Sequence, residues 1–379
     1  MRLKQSFKVA LPMAVGILLT AQFAHAQGLP KSFAWSAYGT TSSGYAASVA
    51  IGNALAEDGY KLRVLPAKND VSRMTPLRVK KIEFSAMGVG AFQAQEGALD
   101  FGKKPWGPQK VRLVMMGWGE PNTALVATAK DAKIMKASDL KGKRLAWIVG
   151  GPALNQNMQA WLAYGGLTWD DVTKVTVPGW KASIQGIIDG NIDGAIASTN
   201  SSMLFQVESS PRGLHFFPAP AAEKGNWKRL TKIAPWFAPH TATAGVGLSK
   251  EKPLEGASYG YPILITYDWQ SDQAVYELTK LLDTKYDKYK DAHASAAGFA
   301  MKNQVFDWII PYHAGAIRYF KEIGVWSDAF DAHNKKLLER QAVLDATWKM
   351  VGDGAPYETW MAARAKALIA AGFAPVWDN

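Results

Sequence analysis

The 379-residue sequence contains no cysteine, and this absence removes several classes of chemistry at once. A chain without thiols has no disulfides, no thiolate metal ligands, no iron–sulfur cluster and no cysteine nucleophile. Charged residues are also sparse, at 20% of the chain, whereas 48% of the residues are apolar. This composition is the opposite of that of disordered proteins. The sequence therefore predicts an ordered protein, stabilised by packing and long enough for two or three domains.

A concentrated block of one charge is missing as well. The chain has 43 Lys and Arg against 32 Asp and Glu, but the basic residues alternate with acids, as in the segment KYDKYKDAH at 285–293. Dispersed charges of this kind are typical of a solvated surface rather than of a basic binding patch. We therefore expect no nucleic-acid partner.

Motifs for metal and nucleotide sites are also absent. No histidine after the N-terminal segment has a second His or a carboxylate at the spacing of helical metal ligands. Gly88 and Gly90 begin a glycine fingerprint, but Gln93 stands at the position of its third glycine, and no Walker lysine motif occurs. We expect neither a metal nor a cofactor.

The first 26 residues have the layout of a secretory signal peptide. Three basic residues precede an apolar run over 9–21, and the small-x-small triplet Ala24-His25-Ala26 follows. An N-terminal membrane anchor is the alternative, but the run is shorter than the ~20 apolar residues that span a bilayer and contains Pro12. We predict cleavage after Ala26, a mature chain beginning at Gln27, and a periplasmic location.

Short apolar runs alternate with helical patterns from Phe33 onward, which predicts an α/β fold with mostly parallel strands. A second set of the same units begins at Lys143, so two lobes joined by two crossings are expected. The region 213–246 is rich in Pro and aromatic residues and predicts irregular loops. The predicted strands are 33–37, 60–66, 82–87, 111–116, 123–128, 144–149, 172–177 and 194–198, and the predicted helices are 45–57, 69–79, 152–164 and 182–189.

The helical period after Tyr276 predicts a C-terminal helical extension. Its tryptophans, Trp348, Trp360 and Trp377, are candidates for docking or dimerisation. The predicted division of the chain is a signal peptide at 1–26, the first part of lobe 1 at 27–120, lobe 2 at 121–240, the second part of lobe 1 at 241–326, and the extension at 327–379.

One segment resembles the active-site turn of a serine hydrolase. GASYG at 256–260 matches the nucleophile-elbow pattern, with Asp268 and His293 as candidate partners of Ser258. The elbow requires a strand before the serine and a helix after it. Here a strand-like run, YPILITY, follows. The pattern therefore favours a glycine-rich turn and no enzyme activity, with a periplasmic serine hydrolase as the less favoured alternative.

Two strand-to-helix turns point to ligand binding. Both the turn at 38–44 and the turn at 150–156 carry small and hydroxyl or amide residues just before a helix. Free N–H groups at the start of a helix bind carboxylates without a basic side chain. Ordinary N-capping by Ser and Thr is the alternative for either turn alone. The occurrence of the turns at equivalent places in two lobes favours two facing anion sites, supplemented by the Arg73 guanidinium, which has no obvious acidic partner in the sequence.

Several segments resemble the TAXI family of solute-binding proteins, which serve tripartite ATP-independent periplasmic (TRAP) transporters. The resemblance covers about 34–326. It implies an α/β, two-lobe type II periplasmic binding protein fold that closes on its ligand by hinge motion. The segments are AIGNALAE at 50–57, DLKGKRLAW at 139–147, WKASIQGIIDGNIDGAIAST at 180–199, VYELTKLL at 275–282 and IIPYHAGAIRYFKEIGVW at 309–326.

The resemblance implies a receptor that captures a small organic anion, a carboxylate or dicarboxylate such as glutamate or a 2-oxoacid, and delivers it to TRAP transporter membrane subunits. An ABC-type uptake receptor of the same fold is the alternative. Thr40 to Ser43 stand where the family has glycines, and Lys68 to Arg73 stand where it has a Ser and Asn pair. The predicted ligand-binding residues are Tyr38, Thr40, Thr41, Ser42, Ser43, Tyr45, Asn69, Arg73, Gly150, Asn155, Gln156, Trp180, Ser198 and Thr199.

Overall fold

Two five-stranded sheets organise the chain. The computed structural model describes residues 27–118, 124–352 and 354–377, so the predicted signal peptide lies outside the described residues. The strands are β1 Ser32–Ala37, β2 Lys61–Pro66, β3 Phe84–Met87, β4 Val111–Trp118, β5 Ala124–Ala129, β6 Arg144–Ile148, β7 Thr173–Val177, β8 Gly194–Ser198, β9 Leu214–His215, β10 Ala238–Ala242, β11 Leu254–Ser258 and β12 Gly260–Tyr267.

The first sheet has the strand order β2-β1-β3-β12-β4. Its strand β1 runs parallel to β2 and β3, whereas β12 is antiparallel to β3 and to β4. All four residues of β3 are buried, as expected for a strand covered by helices on both faces. This sheet is the centre of lobe 1.

The second sheet repeats this plan, with the order β7-β6-β8-β5-β9. Strand β6 is parallel to β7 and β8, and β5 is antiparallel to β8 and β9. The chain enters this lobe 2 between β4 and β5 and leaves it between β11 and β12. The antiparallel hairpin of β10 and β11 lies on the return path. The hairpin is attached to lobe 2 by a hydrogen bond of 2.9 Å from the Ala219 N–H to the Glu255 carbonyl of β11.

Helices follow most strands and cover the sheets. Their starts are set by local signals: Ser42 caps α1, Asn69 and Ser72 form a capping box on α2, and Pro152 opens α4. The helices are α1 Ser43–Ala56, α2 Asp70–Arg78, α3 Gly90–Glu96, α4 Pro152–Tyr164, α5 Trp180–Ile188, α6 Met203–Ser209, α7 Lys224–Ile233, α8 Asp272–Thr284, α9 Tyr286–Tyr289, α10 Ala294–Ala297, α11 Ala314–Glu322, α12 Asp328–Val351 and α13 Tyr357–Ala370.

This arrangement is the two-lobe type II periplasmic binding protein fold with a helical C-terminal extension, which confirms the predicted fold class. The eight predicted strands all form. The expectation of irregular loops over 213–246 is wrong in part, because α7 lies there with Trp227 and Leu230 buried against α4. The predicted lobe boundary after residue 240 falls inside β10.

The C-terminal extension is a helical hairpin that docks on lobe 1. Helices α12 and α13 enclose a small core of Leu344, Trp360 and Leu368. A fully buried carboxylate, Glu96 at the end of α3, receives hydrogen bonds from Arg340 at 2.7 Å and from Arg364. The extension is therefore held by a desolvated ion-pair network as well as by apolar contact.

The tail after α13 extends the contact to lobe 2. The Trp377 ring lies 5.5 Å from that of Phe92 in lobe 1 and 6.2 Å from that of Trp236, just before β10. Its indole N–H also donates to the Ile233 carbonyl of α7 at 3.3 Å. The extension thus touches both lobes.

Candidate functional site

A small cavity lies between the lobes at the carboxyl ends of the parallel strands. This is where doubly wound sheets bind ligands, because loops from adjacent strands diverge there. The cavity measures about 60 Å³. At the ~10–15 Å³ that one enclosed water needs, it has room for a handful of water molecules or a small organic group.

Six of the predicted ligand-binding residues line this cavity. Four come from lobe 1 and two from lobe 2, so the structure brings together groups that are up to 160 positions apart in the sequence. They are Tyr38, Ser42, Asn69, Arg73, Trp180 and Ser198.

The deepest charged groups of the cavity are Asp70 and Arg73, one turn apart on α2. They are 2% and 4% exposed, and the Arg73 Nη2 donates to Asp70 Oδ1. The expectation that Arg73 has no acidic partner is therefore wrong. Residues three apart on a helix are neighbours, so the sequence spacing already places this pair together.

The second oxygen of the Asp70 carboxylate reaches across the cleft. Asp70 Oδ2 accepts a hydrogen bond of 3.0 Å from the N–H of Ala153 in the first turn of α4. Burial raises the pKa of Asp70, while the Arg73 charge and the Ala153 bond oppose that rise. The amino end of α4, which we predicted to hold a ligand carboxylate, thus holds a carboxylate of the chain itself.

The Arg73 guanidinium is fixed on several sides. Its plane stacks on Tyr38, with 3.9 Å from the guanidinium carbon to the ring centre, and Nε lies 3.2 Å from the Met87 sulfur. Among the described residues, none accepts a hydrogen bond from Nη1. Arg73 is 96% enclosed yet lines the cavity, so this amino group is a donor available to a bound molecule.

Tyrosines form the aromatic wall of lobe 1. The ring of Tyr261 lies 5.0 Å from Tyr38 and 5.9 Å from Tyr259. Burial raises the pKa of Tyr259, and its hydroxyl accepts a 3.4 Å bond from Asn157 of α4. The wall therefore consists of neutral phenols that offer ring faces and hydroxyls to a bound molecule.

Lobe 2 contributes an indole and short polar side chains. The Trp180 N–H donates to the Ile196 carbonyl at 2.9 Å, which fixes the ring at the start of α5. The Ser198 hydroxyl donates to Asn200 Oδ1 at 2.8 Å. This wall presents a rigid aromatic edge beside hydroxyl groups.

Direct hydrogen bonds join the lobes around the cavity, so the structure is a closed form. Asn69 Nδ2 donates to the Val149 carbonyl at 3.0 Å, and the Ser202 hydroxyl donates to the Thr41 carbonyl at 2.8 Å. Gly150 has a φ of 65°, and a Cβ there would lie 2.7 Å from Asn69 Nδ2. Both the backbone conformation and the lobe contact therefore require glycine.

Eight predicted residues lie outside the cavity lining. Thr40 and Thr41 face an open groove of about 580 Å³ at the cleft mouth. Asn155 bonds the backbone of Ile148, and Gln156 bonds Gln93 at 2.7 Å. The remaining four are Ser43, which is buried, Tyr45, which is half-buried, Gly150, and Thr199, whose hydroxyl donates to Ala244.

Three important lining residues were missed by the sequence reasoning: Asp70, Tyr259 and Tyr261. Asp70 had a signal, since it lies at helical spacing from Arg73. Tyr259 and Tyr261 come one and three residues after Ser258, where the chain crosses back from lobe 2 to lobe 1. A crossing segment borders the cleft in any two-lobe protein, so this position was a second signal.

The candidate nucleophile Ser258 does not have the geometry of an elbow. It ends β11, and β12 begins two residues later, so a strand and not a helix follows it. Asp268 pairs with Lys110, and the His293 Nδ1 contacts Ser295. Within the described ranges, no group of three or more His, Cys, Asp or Glu could hold a metal ion.

Over 27–118, 124–352 and 354–377, none of the helices combines the length and the apolar character that crossing a bilayer requires.

Comparison with known proteins gives a match over most of the chain. A sequence model of the NMT1-like family matches residues 36–324. This range begins at the end of β1 and stops after α11, so it includes both lobes and leaves out the C-terminal extension.

Several solved structures align with most of the chain at low sequence identity. The alkanesulfonate-binding protein SsuA from Xanthomonas axonopodis pv. citri, bound to MOPS, is 12% identical over 87% of this chain and 96% of that chain, with a TM-score of 0.47. The aliphatic sulphonate binding protein SsuA from Escherichia coli is 12% identical over 85% and 87%, with a TM-score of 0.44. An ancestral arginine-binding protein bound to arginine is 11% identical over 82% and 96%, with a TM-score of 0.39. Similarity at this level carries no information about a ligand of this chain.

Proposed function

The chain belongs to the NMT1-like family, and from this premise we propose that it is a periplasmic solute-binding receptor that closes its two lobes on a small organic ligand and delivers it to a membrane transporter. The observation that carries the proposal is the enclosed cavity between the lobes. A buried guanidinium with an available amino group lines it. A site of this kind binds a molecule that brings its own hydrogen-bond acceptor.

The ligand that suits the cavity best is a small organic anion, which can carry an apolar or aromatic part. Arg73 Nη1 provides two N–H donors, and charge-assisted bonds from a guanidinium to a carboxylate are roughly twice as strong as neutral ones. Trp180 and the Tyr259 and Tyr261 rings supply apolar surface around that donor. Carboxylates, including glutamate-like and 2-oxoacid compounds, are therefore the proposed ligands.

The resemblance to TAXI proteins supports a TRAP membrane partner, and an ABC-type transporter is the second candidate. The two differ in energy source. Uptake by the reconstituted system should depend on an ion gradient and continue without ATP. Uptake that requires ATP hydrolysis would assign the receptor to an ABC system.

A thermal-shift screen of the mature protein tests the binding function. It should span amino acids, 2-oxoacids, mono- and dicarboxylates, aromatic acids, sugars and amines. A ligand at ~100 times its Kd stabilises the folded state by about 2.7 kcal/mol, a rise in Tm of a few degrees for a chain of this length. If sugars or amines are the only compounds that raise the Tm, the anion assignment is wrong.

Variants of two arginines on the same helix make the test specific. Arg73→Ala should remove most of the shift given by the best anion, a loss of about 2 to 5 kcal/mol of binding. Arg78→Ala is the matched control, because the Arg78 guanidinium lies 4.7 Å from the Trp106 ring and outside the cavity. Equal loss in both variants would indicate general damage to α2 instead of a contact with ligand.

The hydrolase alternative has its own test. Ser258→Ala should leave ligand binding unchanged, because Ser258 is 2% exposed and lies outside the cavity lining. Esterase activity that disappears in this variant would replace the receptor assignment by an enzyme.

A further inference from the structure

The charges around the cavity are already balanced by the chain itself. Asp70 and Arg73 form a buried pair on α2. The other cation of the lining, Lys68, is exposed at the rim. Among the residues that the structure describes, the interior therefore has one anion and one cation before any ligand is present.

The Asp70 carboxylate lies where an anionic ligand of a two-lobe receptor would bridge the lobes. One oxygen bonds Arg73 of lobe 1, and the other bonds the Ala153 N–H of lobe 2 at 3.0 Å. Both partners are groups that bind carboxylates: a guanidinium and the start of a 13-residue helix.

The fit around this carboxylate is tight. A Cβ at Gly90 would lie 2.7 Å from the Asp70 Cγ and 2.8 Å from Oδ1. The first residue of α3 must therefore lack a side chain for the carboxylate to stay in place. The enclosure gives Asp70 little room to move aside for a second anion.

We infer that Asp70 is a specificity-determining residue: its carboxylate occupies the anion position between Arg73 and the amino end of α4, so the cavity accepts a solute with at most one anionic group. This inference rests on the proposed receptor function and narrows its ligand class. The single anionic group binds the free Nη1 of Arg73. A dicarboxylate would place its second charge beside Asp70, and like charges in a water-poor site repel strongly.

The first experiment needs no knowledge of the natural ligand. Asp70→Ala leaves Arg73 and the Ala153 N–H without their carboxylate, so formate or acetate should fill the position. We expect either salt, compared with equimolar chloride, to raise the Tm of Asp70→Ala by several degrees more than it raises the Tm of wild type. Asp345→Ala is the control, because Asp345 lies outside the cavity lining and pairs with Lys349 on the surface of α12.

The second experiment measures selectivity in the near-isosteric variant Asp70→Asn, which retains the shape of the side chain. The probes are succinate and succinamate, which share a carbon skeleton and differ by one charge. The ratio of the succinate Kd to the succinamate Kd should fall by roughly tenfold or more from wild type to Asp70→Asn.

Two results would overturn the inference. One is the combination of two findings. Neither formate nor acetate changes the Tm of Asp70→Ala, and Asp70→Asn either keeps the wild-type preference between the probes or binds neither probe. The other is wild-type protein that binds succinate as tightly as succinamate. A chain that binds no solute in the wider screen while formate still stabilises Asp70→Ala would refute the receptor function and leave the assignment of the anion position intact.

Discussion

The Tyr38 ring stacks on the Arg73 guanidinium and helps to orient it, with 3.9 Å between the guanidinium carbon and the ring centre. A cation–π contact shielded from water contributes ~1–2 kcal/mol. Tyr38→Leu should therefore weaken anion binding about five- to thirtyfold, measured by titration calorimetry with the best compound of the thermal-shift screen. Tyr38→Phe, which retains the ring, should bind nearly as well as wild type. Equal weakening in both variants would assign the effect to the hydroxyl.

A buried histidine should make stability depend on pH. The Nδ1 of His313 accepts the Gly315 N–H at 3.1 Å at the start of α11, and burial lowers the pKa of His313 to about 4, although Asp272 opposes the shift. Between pH 6.5 and 4 the unfolded chain binds a proton that the folded chain excludes, so stability falls as the pH falls.

The expected loss from this histidine is ~2 kcal/mol between pH 7 and pH 5. His313→Asn keeps a capping acceptor that does not titrate. Urea unfolding of wild type and variant at both pH values should therefore show a smaller loss in the variant. Parallel losses would mean that another group titrates.

At the scale of elements, the contact of α3 with the C-terminal hairpin depends on Glu96. Burial alone raises the pKa of Glu96, but hydrogen bonds from Arg340 and the Arg364 charge outweigh it, so its pKa lies below the usual value. Removing one partner from a buried ion pair leaves uncompensated charge. Glu96→Gln should lower the free energy of unfolding by about 3 to 5 kcal/mol in urea denaturation.

An exposed carboxylate of the same hairpin provides the control for this experiment. Glu339 lies 3.9 Å from Lys335 at the surface, and exposed pairs contribute ~0–1 kcal/mol. If Glu339→Gln lowers the free energy of unfolding as much as Glu96→Gln does, the loss reflects a general sensitivity of the hairpin to substitution and not the buried charge of Glu96.

The elements differ in how far the sequence predicts them. Helix α4 begins and ends where its Pro152 start and apolar period indicate. Helix α3 was missed because its seven residues are all buried, so it shows no polar face and no period. Helix α7 was missed because flanking Pro and aromatic residues hid its amphipathic pattern, although those aromatics pack in the core.

The site was predictable only where local chemistry determines it. Ser42 and Asn69 lie at helix starts, which sequence signals identify. The contact of Asp70 with Ala153 joins positions 83 apart in the sequence, and no local pattern specifies it. Turns were likewise identified as binding elements, but Asn155 uses its amide for the backbone of Ile148 within lobe 2. Gln156 uses its amide for Gln93 of lobe 1, a contact that depends on how the lobes close.

At the scale of the whole molecule, we expect the tail to couple the extension to lobe closure. Trp377 contacts Phe92 of lobe 1 as well as Trp236 and Ile233 on the lobe 2 side. Trp377→Ala should cost about 1 to 2 kcal/mol of stability, since a half-buried indole loses its apolar contact area. It should also enlarge the radius of gyration of the ligand-free protein in small-angle scattering.

A tryptophan that packs within lobe 1 provides the comparison for the tail. Trp269 is half-buried against the lobe 1 core, so Trp269→Ala should lower stability without changing the radius of gyration. Ligand should restore the compact radius in Trp377→Ala. If both variants scatter like wild type, the tail does not influence closure.

Several hydrogen bonds that close the lobes end on main-chain carbonyls. Those of Asn69 and Ser202 are accepted by Val149 and Thr41, and the Val71 N–H donates to the Gly150 carbonyl at 3.4 Å. A carbonyl is present whatever the side chain, so mutation of the accepting residue does not delete it. Apart from the Asp70 bond to Ala153, closure and ligand choice thus depend largely on different atoms. Over evolution, side chains such as Trp180 and Ser198 are free to diversify toward new solutes while the closing motion is inherited intact.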